Sequence, residues 1–136
     1  MRERLKDQVV ALLCAGDARA LAELVAADRR VVRLLVGRLW DPDPAVGHRA
    51  ARALGEAAVH HEALVRETVR KLLWALNDES GTNGAPALAA LGEIGRRSPA
   101  LIAPHVGAMA AMAADEGLRE AVTEALNAFG ASEPES

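Results

Sequence analysis

The chain has 136 residues, 51% hydrophobic but only 2% aromatic, with a formal net charge of −3. That length suits one domain with a continuous core and is too short for two comfortable ones. The negative balance argues against a protein whose affinity comes from neutralising nucleic-acid phosphates, and few Thr, Ile or aromatic residues with no alternating runs leave little to build a sheet. An all-α domain cored by Ala, Leu and Val follows.

The N-terminal stretch MRERLKDQVVALLCAG resembles a lipoprotein leader only in outline. Glu3 and Asp7 interrupt its positive region, and Leu13 stands where a small residue should precede the cysteine. No stretch approaches the roughly twenty apolar residues of a membrane span. A cytoplasmic protein is expected, with no membrane partner. Its one cysteine, Cys14, excludes an internal disulfide and reads as a small core residue.

Eight helices are predicted, near residues 3–14, 17–27, 29–40, 44–59, 62–77, 84–97, 99–114 and 116–129. Apolar residues recur at helical spacing in Val32, Leu35, Val36, Leu39, then Val69, Leu72, Leu73, Leu76, then Val106, Met109, Met112, Ala113. Asp43 followed by Pro44 is an N-cap and first-turn pair. Pro86 forbids a helix that starts at Gly81, the counterpart of Pro44, and delays the start to near Gly84. Pro104 predicts a kink in the seventh helix or a start there. The tail ASEPES is acidic and without apolar period, and is expected to be disordered.

The chain repeats itself. WDPDPAVGHRAARALGE at 40–56 and NDESGTNGAPALAALGE at 77–93 share an offset of 37, which aligns Leu39 with Leu76, Asp41 with Asp78, and Leu54-Gly55-Glu56 with Leu91-Gly92-Glu93. Asp115 stands another 37 beyond Asp78, and Phe129-Gly130 echoes Leu91-Gly92 with one residue inserted. Such a period signals stacked helical hairpins, none able to bury its apolar face alone. The units are a capping hairpin at 1–28 and repeats at 29–61, 62–98 and 99–130, followed by the tail at 131–136.

The strings DPDPAVGHRAARALGEA and ALAALGEIG resemble HEAT-like repeats of the subclass shared with phycobilisome lyase proteins. LLWALNDESG followed by GAP is similar to a group of small bacterial HEAT-like proteins. The resemblance implies an α-solenoid, a right-handed α-α superhelix of about four hairpins, and chiefly a scaffold role. Some HEAT-like enzymes, such as deoxyhypusine hydroxylase, bind iron through His-Glu pairs in the second helix. The matching positions here are His48-Arg49 and Ala85-Pro86, so those ligands are missing. His60, His61 and Glu62 cluster locally, but His60 lies twelve residues, roughly 18 Å of helix, beyond His48. A solvated helix end is expected there, and no metal.

The candidate sites are surfaces. On the second helices, Arg49, Arg52, Glu56, Glu93, Arg96 and Arg97 are expected as polar contacts to a protein partner. Trp40 and Trp74 fall about one helical turn apart on successive first helices and offer an aromatic patch. The turn from Asn77 to Gly84, with Ser80, Gly81, Thr82, Asn83 and Gly84, leads into a helix N-terminus that favours an anion, although Asp78 and Glu79 oppose a phosphate. Ion pairs are expected between Glu62 and Arg66 and between Glu67 and Lys71. No nucleophile has a recognisable base at useful spacing, and no cofactor fingerprint occurs. The expectation is a non-enzymatic scaffold for another protein, with homodimerisation left open. The alternatives are a nucleic-acid-binding or base-repair protein working through Arg29, Arg30, Arg33, Arg38, Arg49, Arg52, Arg66 and Arg70, and a bilin lyase or chromophore chaperone. Charge is polarised, at net +3 through Lys71 and net −6 beyond.

Overall fold

A computed structural model describes residues 2–78 and 84–130, and every described element is helical. The helices are α1 (Arg2–Ala15), α2 (Ala18–Ala27), α3 (Val31–Gly37), α4 (Pro44–His60), α5 (Glu62–Asp78), α6 (Ala85–Arg97), α7 (Pro99–Ile102), α8 (Val106–Ala111) and α9 (Arg119–Gly130). Two 3-10 turns, Ala103–His105 and Met112–Ala114, flank α8. All eight expected stretches are helical, and the seventh is the one broken into pieces. Pro104 lies inside its first 3-10 turn, where the missing N–H interrupts the helical ladder. The tail at 131–136 and Ser80, Gly81, Thr82 and Asn83 lie outside the described residues.

Local chemistry sets the ends. Gly16 adopts φ 71, which lets the N–H groups of Gly16 and Asp17 both reach back to the Leu12 carbonyl and close α1. Asp17 then caps α2 by accepting from Ala20 N–H at 3.1 Å. The Asp43 carboxylate accepts from Ala45 N–H at 3.0 Å, with Pro44 as the first residue of α4, as the sequence predicts. Helix α3 ends three residues earlier than expected, because Arg38 and Leu39 tighten into i→i+3 bonds to Leu35 and Val36. Helix α9 starts three residues late, because Asp115 folds back to accept from Gly117 N–H at 2.9 Å. Asp41 makes the same turn with Asp43 N–H, also at 2.9 Å. The first and third aspartates of the repeat therefore do the same work, whereas Asp78 is the last residue of α5.

The core is wholly apolar among the described residues. Leu13, Leu35, Leu54, Leu88, Leu91, Ile94, Ile102 and Met109 are fully enclosed. Cys14, expected in this core, is exposed instead. The inward stripe of α1 runs through Leu5, Val9 and Leu13, and the next residue points about 100° away from it.

The second helices of the hairpins pack in order, α2 on α4, α4 on α6 and α6 on α9, while α1 packs on α3 and α5 on α7. The repeated Leu-Gly-Glu triplet explains how the second helices approach so closely. A Cβ on Gly55 would lie 2.7 Å from the Glu93 carbonyl oxygen of α6, and one on Gly92 would lie 2.8 Å from the Ala125 Cα of α9. The leucine of each triplet, Leu54 or Leu91, is completely buried. The glutamate is left at the helix surface.

Candidate functional site

Helices α4, α6 and α9 pack side by side and share one floor, in which Ala51 and Ala125 are almost wholly buried and Ala89 is partly exposed. A groove of about 660 Å³ runs across it, with Ala51, Ala89 and Ala125 among the small side chains beneath. The turn from Leu39 to Pro44 builds one wall and carries Trp40 and Pro42. Gly47 lets α4 press against that wall, since a Cβ there would sit 2.7 Å from the Leu39 carbonyl oxygen. Asp41 braces the turn, accepting from Asp43 N–H and from Arg38 at 3.0 Å. The backbone bond first, then the Arg38 guanidinium, hold its carboxyl below the usual range against some opposing burial.

The groove's charges divide into spent and unspent. Asp41 is paired with Arg38, and Glu93 takes Arg96 at 2.6 Å. Arg52 on α4 and Glu124 on α9 line opposite sides of the groove, both exposed and with no ion-pair or hydrogen-bond partner among the described residues. His48, one turn before Arg52, is likewise exposed and unpaired among them.

A second groove of about 300 Å³ lies between α2 and α4, lined in part by Arg49, Arg52, Glu56 and Arg97. Arg52 borders both grooves. Arg49 has a partner already, donating from Nη1 to the Leu13 carbonyl at 2.8 Å at the end of α1. Its guanidinium lies over Gly16, where a Cβ would stand only 3.2 Å from it. Arg97 donates to Glu56 at 2.6 Å, which ties α6 to α4. Burial pushes the Glu56 carboxyl up, but the hydrogen bond and charge of Arg97, with His60 behind them, outweigh it and leave the group below its ordinary value.

Of the residues expected to meet a partner, Arg52, Glu93 and Trp40 line the larger groove, and Arg49, Glu56 and Arg97 line the smaller one. Arg49, Glu56, Glu93, Arg96 and Arg97 hold one another or the backbone. Trp74 is apart from both grooves, on α5, so it forms no shared groove lining with Trp40. Gly84 is buried, with room denied by Leu76 and Leu118; Asn77 and Asp78 end α5 instead of opening the expected turn, and Ser80, Gly81, Thr82 and Asn83 lie outside the described residues. Glu62 pairs with Arg66 at 2.8 Å as expected, but Glu67 takes Arg70 at 3.6 Å rather than Lys71.

The histidine cluster is also engaged. His60 contacts Glu56 at 3.3 Å, and His61 Nε2 donates to the Val25 carbonyl at 2.7 Å, finishing α2. No group of three or more potential metal ligands occurs among the described residues. None of their helices is long and apolar enough to cross a membrane. Sequence reasoning missed Glu124, whose place on the groove depends on how α9 packs, and the paired Asp28 and Arg30, joined at 2.8 Å. Family models, curated proteins and solved structures show no match to the chain.

Proposed function

We propose that the chain is a HEAT-like solenoid whose second-helix groove docks a segment of another protein. The observation that carries this reading is the unpaired Arg52 at the edge of a groove floored by alanines and walled by Trp40. Small floor residues admit a helix or extended segment close to the backbone, and arginine and tryptophan are the side chains that most often anchor interfaces. The surrounding ion pairs fix the groove before a partner arrives, so little ordering entropy is lost on docking. The stacking of α2, α4, α6 and α9 supports the solenoid reading, and their shared spacing supports the division into hairpins.

The test is quantitative capture from a lysate of the source cell with wild-type bait and with Arg52→Glu bait. The reading expects at least one protein whose recovery falls about tenfold or more with the variant. Equal recovery of every protein on both baits would count against it.

A further inference from the structure

The smaller groove carries the guanidiniums of Arg49, Arg52 and Arg97 against the carboxylates of Asp17 and Glu56. Both carboxylates are already engaged. Asp17 caps α2 through Ala20 N–H, while Glu56 accepts from Arg97 at 2.6 Å and contacts His60 at 3.3 Å. Arg52 stands four residues before Glu56, a spacing that permits an ion pair along a helix, yet Glu56 takes Arg97 and His60 instead. Arg49 and Arg52 are three apart on α4, so two like charges are neighbours there. Among the described residues neither has a carboxylate within ion-pair range.

The Arg49 guanidinium is fixed without being neutralised. Its Nη1 donates to the carbonyls of Leu13 at 2.8 Å and Cys14 at 3.4 Å, both uncharged acceptors, and Gly16 lies against its other face. Those bonds hold the planar fork in place and leave its charge, with the N–H groups of Nε and Nη2, for a ligand.

The groove also has an apolar side, built by Leu12, Leu21, Ala22 and Ala53 from three helices. Its volume of about 300 Å³ is at the lower end of small-molecule sites. Crowded positive charge beside hydrocarbon suits a ligand with an anion at one end and an apolar body at the other. The arginines exceed the carboxylates by one charge, which fits a monoanion, whereas a phosphate dianion would face Asp17 and Glu56 with more repulsion. A carboxylate also matches the guanidinium fork with two parallel bonds.

We infer that the smaller groove binds a small organic monocarboxylate, its carboxylate held by Arg52 and Arg49 and its short hydrocarbon body laid on Leu12, Leu21 and Ala22. The site is distinct from the larger docking groove, with which it shares Arg52 alone.

Titration of the isotope-labelled protein at neutral pH with hexanoate, hexan-1-ol and inorganic phosphate, followed by amide chemical shifts, tests this. Hexanoate is expected to shift Gly16, Asp17, Ala22 and Ala53 saturably, with a Kd of about 10 mM or tighter, and to leave Ala89 and Ala121 on the larger groove unmoved. Arg52→Gln, at an exposed position with no described partner to lose, should weaken hexanoate about tenfold. Hexan-1-ol has the body without the charge and phosphate the charge without the body, and each should bind at least about tenfold more weakly than hexanoate. Hexanoate shifts that do not saturate by roughly 50 mM, or that saturate at Ala89 and Ala121 instead, would overturn the inference. So would alcohol or phosphate binding as tight as hexanoate, or an unchanged Kd in Arg52→Gln.

Discussion

Gly55 on α4 faces the backbone carbonyl of Glu93 on α6 so closely that the smallest side chain would lie 2.7 Å from it. This one relationship joins the repeated sequence triplet to the groove, because helices held further apart would not present a continuous floor. Backbone, unlike the tip of a flexible side chain, cannot yield cheaply at that distance.

Gly55→Ala is expected to destabilise the fold by about 1–3 kcal/mol despite the higher helix propensity of alanine, since overpacking wins. Gly37 is exposed at the end of α3 with nothing near its missing Cβ. Gly37→Ala should be neutral or stabilise by about 0.4–1 kcal/mol. Urea unfolding of the two variants beside the wild type checks the difference in sign.

Arg49 closes α1 from a residue 36 positions away. Its truncation to alanine should cost roughly 1–3 kcal/mol, as a charged hydrogen bond to a helix-end carbonyl is lost. Faster amide exchange in α1 and α2 than in α9 is the expected local signature, and uniform change across the chain would count against a capping role.

Glu56 and Arg97 bridge two helices, but both remain partly exposed, at 25% and 43% of their side chains. A double-mutant cycle to alanine should return a coupling of only about 0.2–1 kcal/mol, smaller still in high salt. A larger value would mean that this pair, rather than the glycine contact, holds α4 to α6.

The Asp28 carboxylate accepts from the guanidinium and from the backbone N–H of Arg30, and those bonds together with the neighbouring charge lower its pKa to about 2 against some opposing desolvation. A carboxyl lowered in the folded state stabilises the fold above its unfolded value of 3.8 and loses that contribution as pH falls toward 2. Stability measured across that window should fall more steeply for the wild type than for Asp28→Asn. Parallel curves would show that the pair contributes nothing to acid sensitivity.

Elements were legible in the sequence where a local rule fixed them. Asp43-Pro44 announced the start of α4, Pro86 delayed α6 to Ala85, and Pro104 broke the seventh stretch. The Leu-Gly-Glu triplets were visible as a repeat of 37 residues, but neither the close approach at their glycines nor the groove over Ala51, Ala89 and Ala125 was read from them. What stayed hidden depends on packing between units. Whether Arg49 meets solvent or the end of α1 is decided by how α4 lies on α2, and no spacing within α4 encodes that. The same holds for His61 at Val25 and for Glu124 at the groove edge. Cys14 was misplaced because a short apolar run, VVALLCA, does not reveal which of its residues occupy the buried stripe.

The most direct test of the second-helix groove as a docking surface is photo-crosslinking in cells from a probe at Ala89, on the groove floor, compared with one at Gln8, exposed on α1. A defined protein adduct at position 89 that disappears with Arg52→Glu, and none of that mass at position 8, is the predicted result. Adducts of the same mass and yield at both positions, or an adduct at 89 indifferent to Arg52, would contradict it.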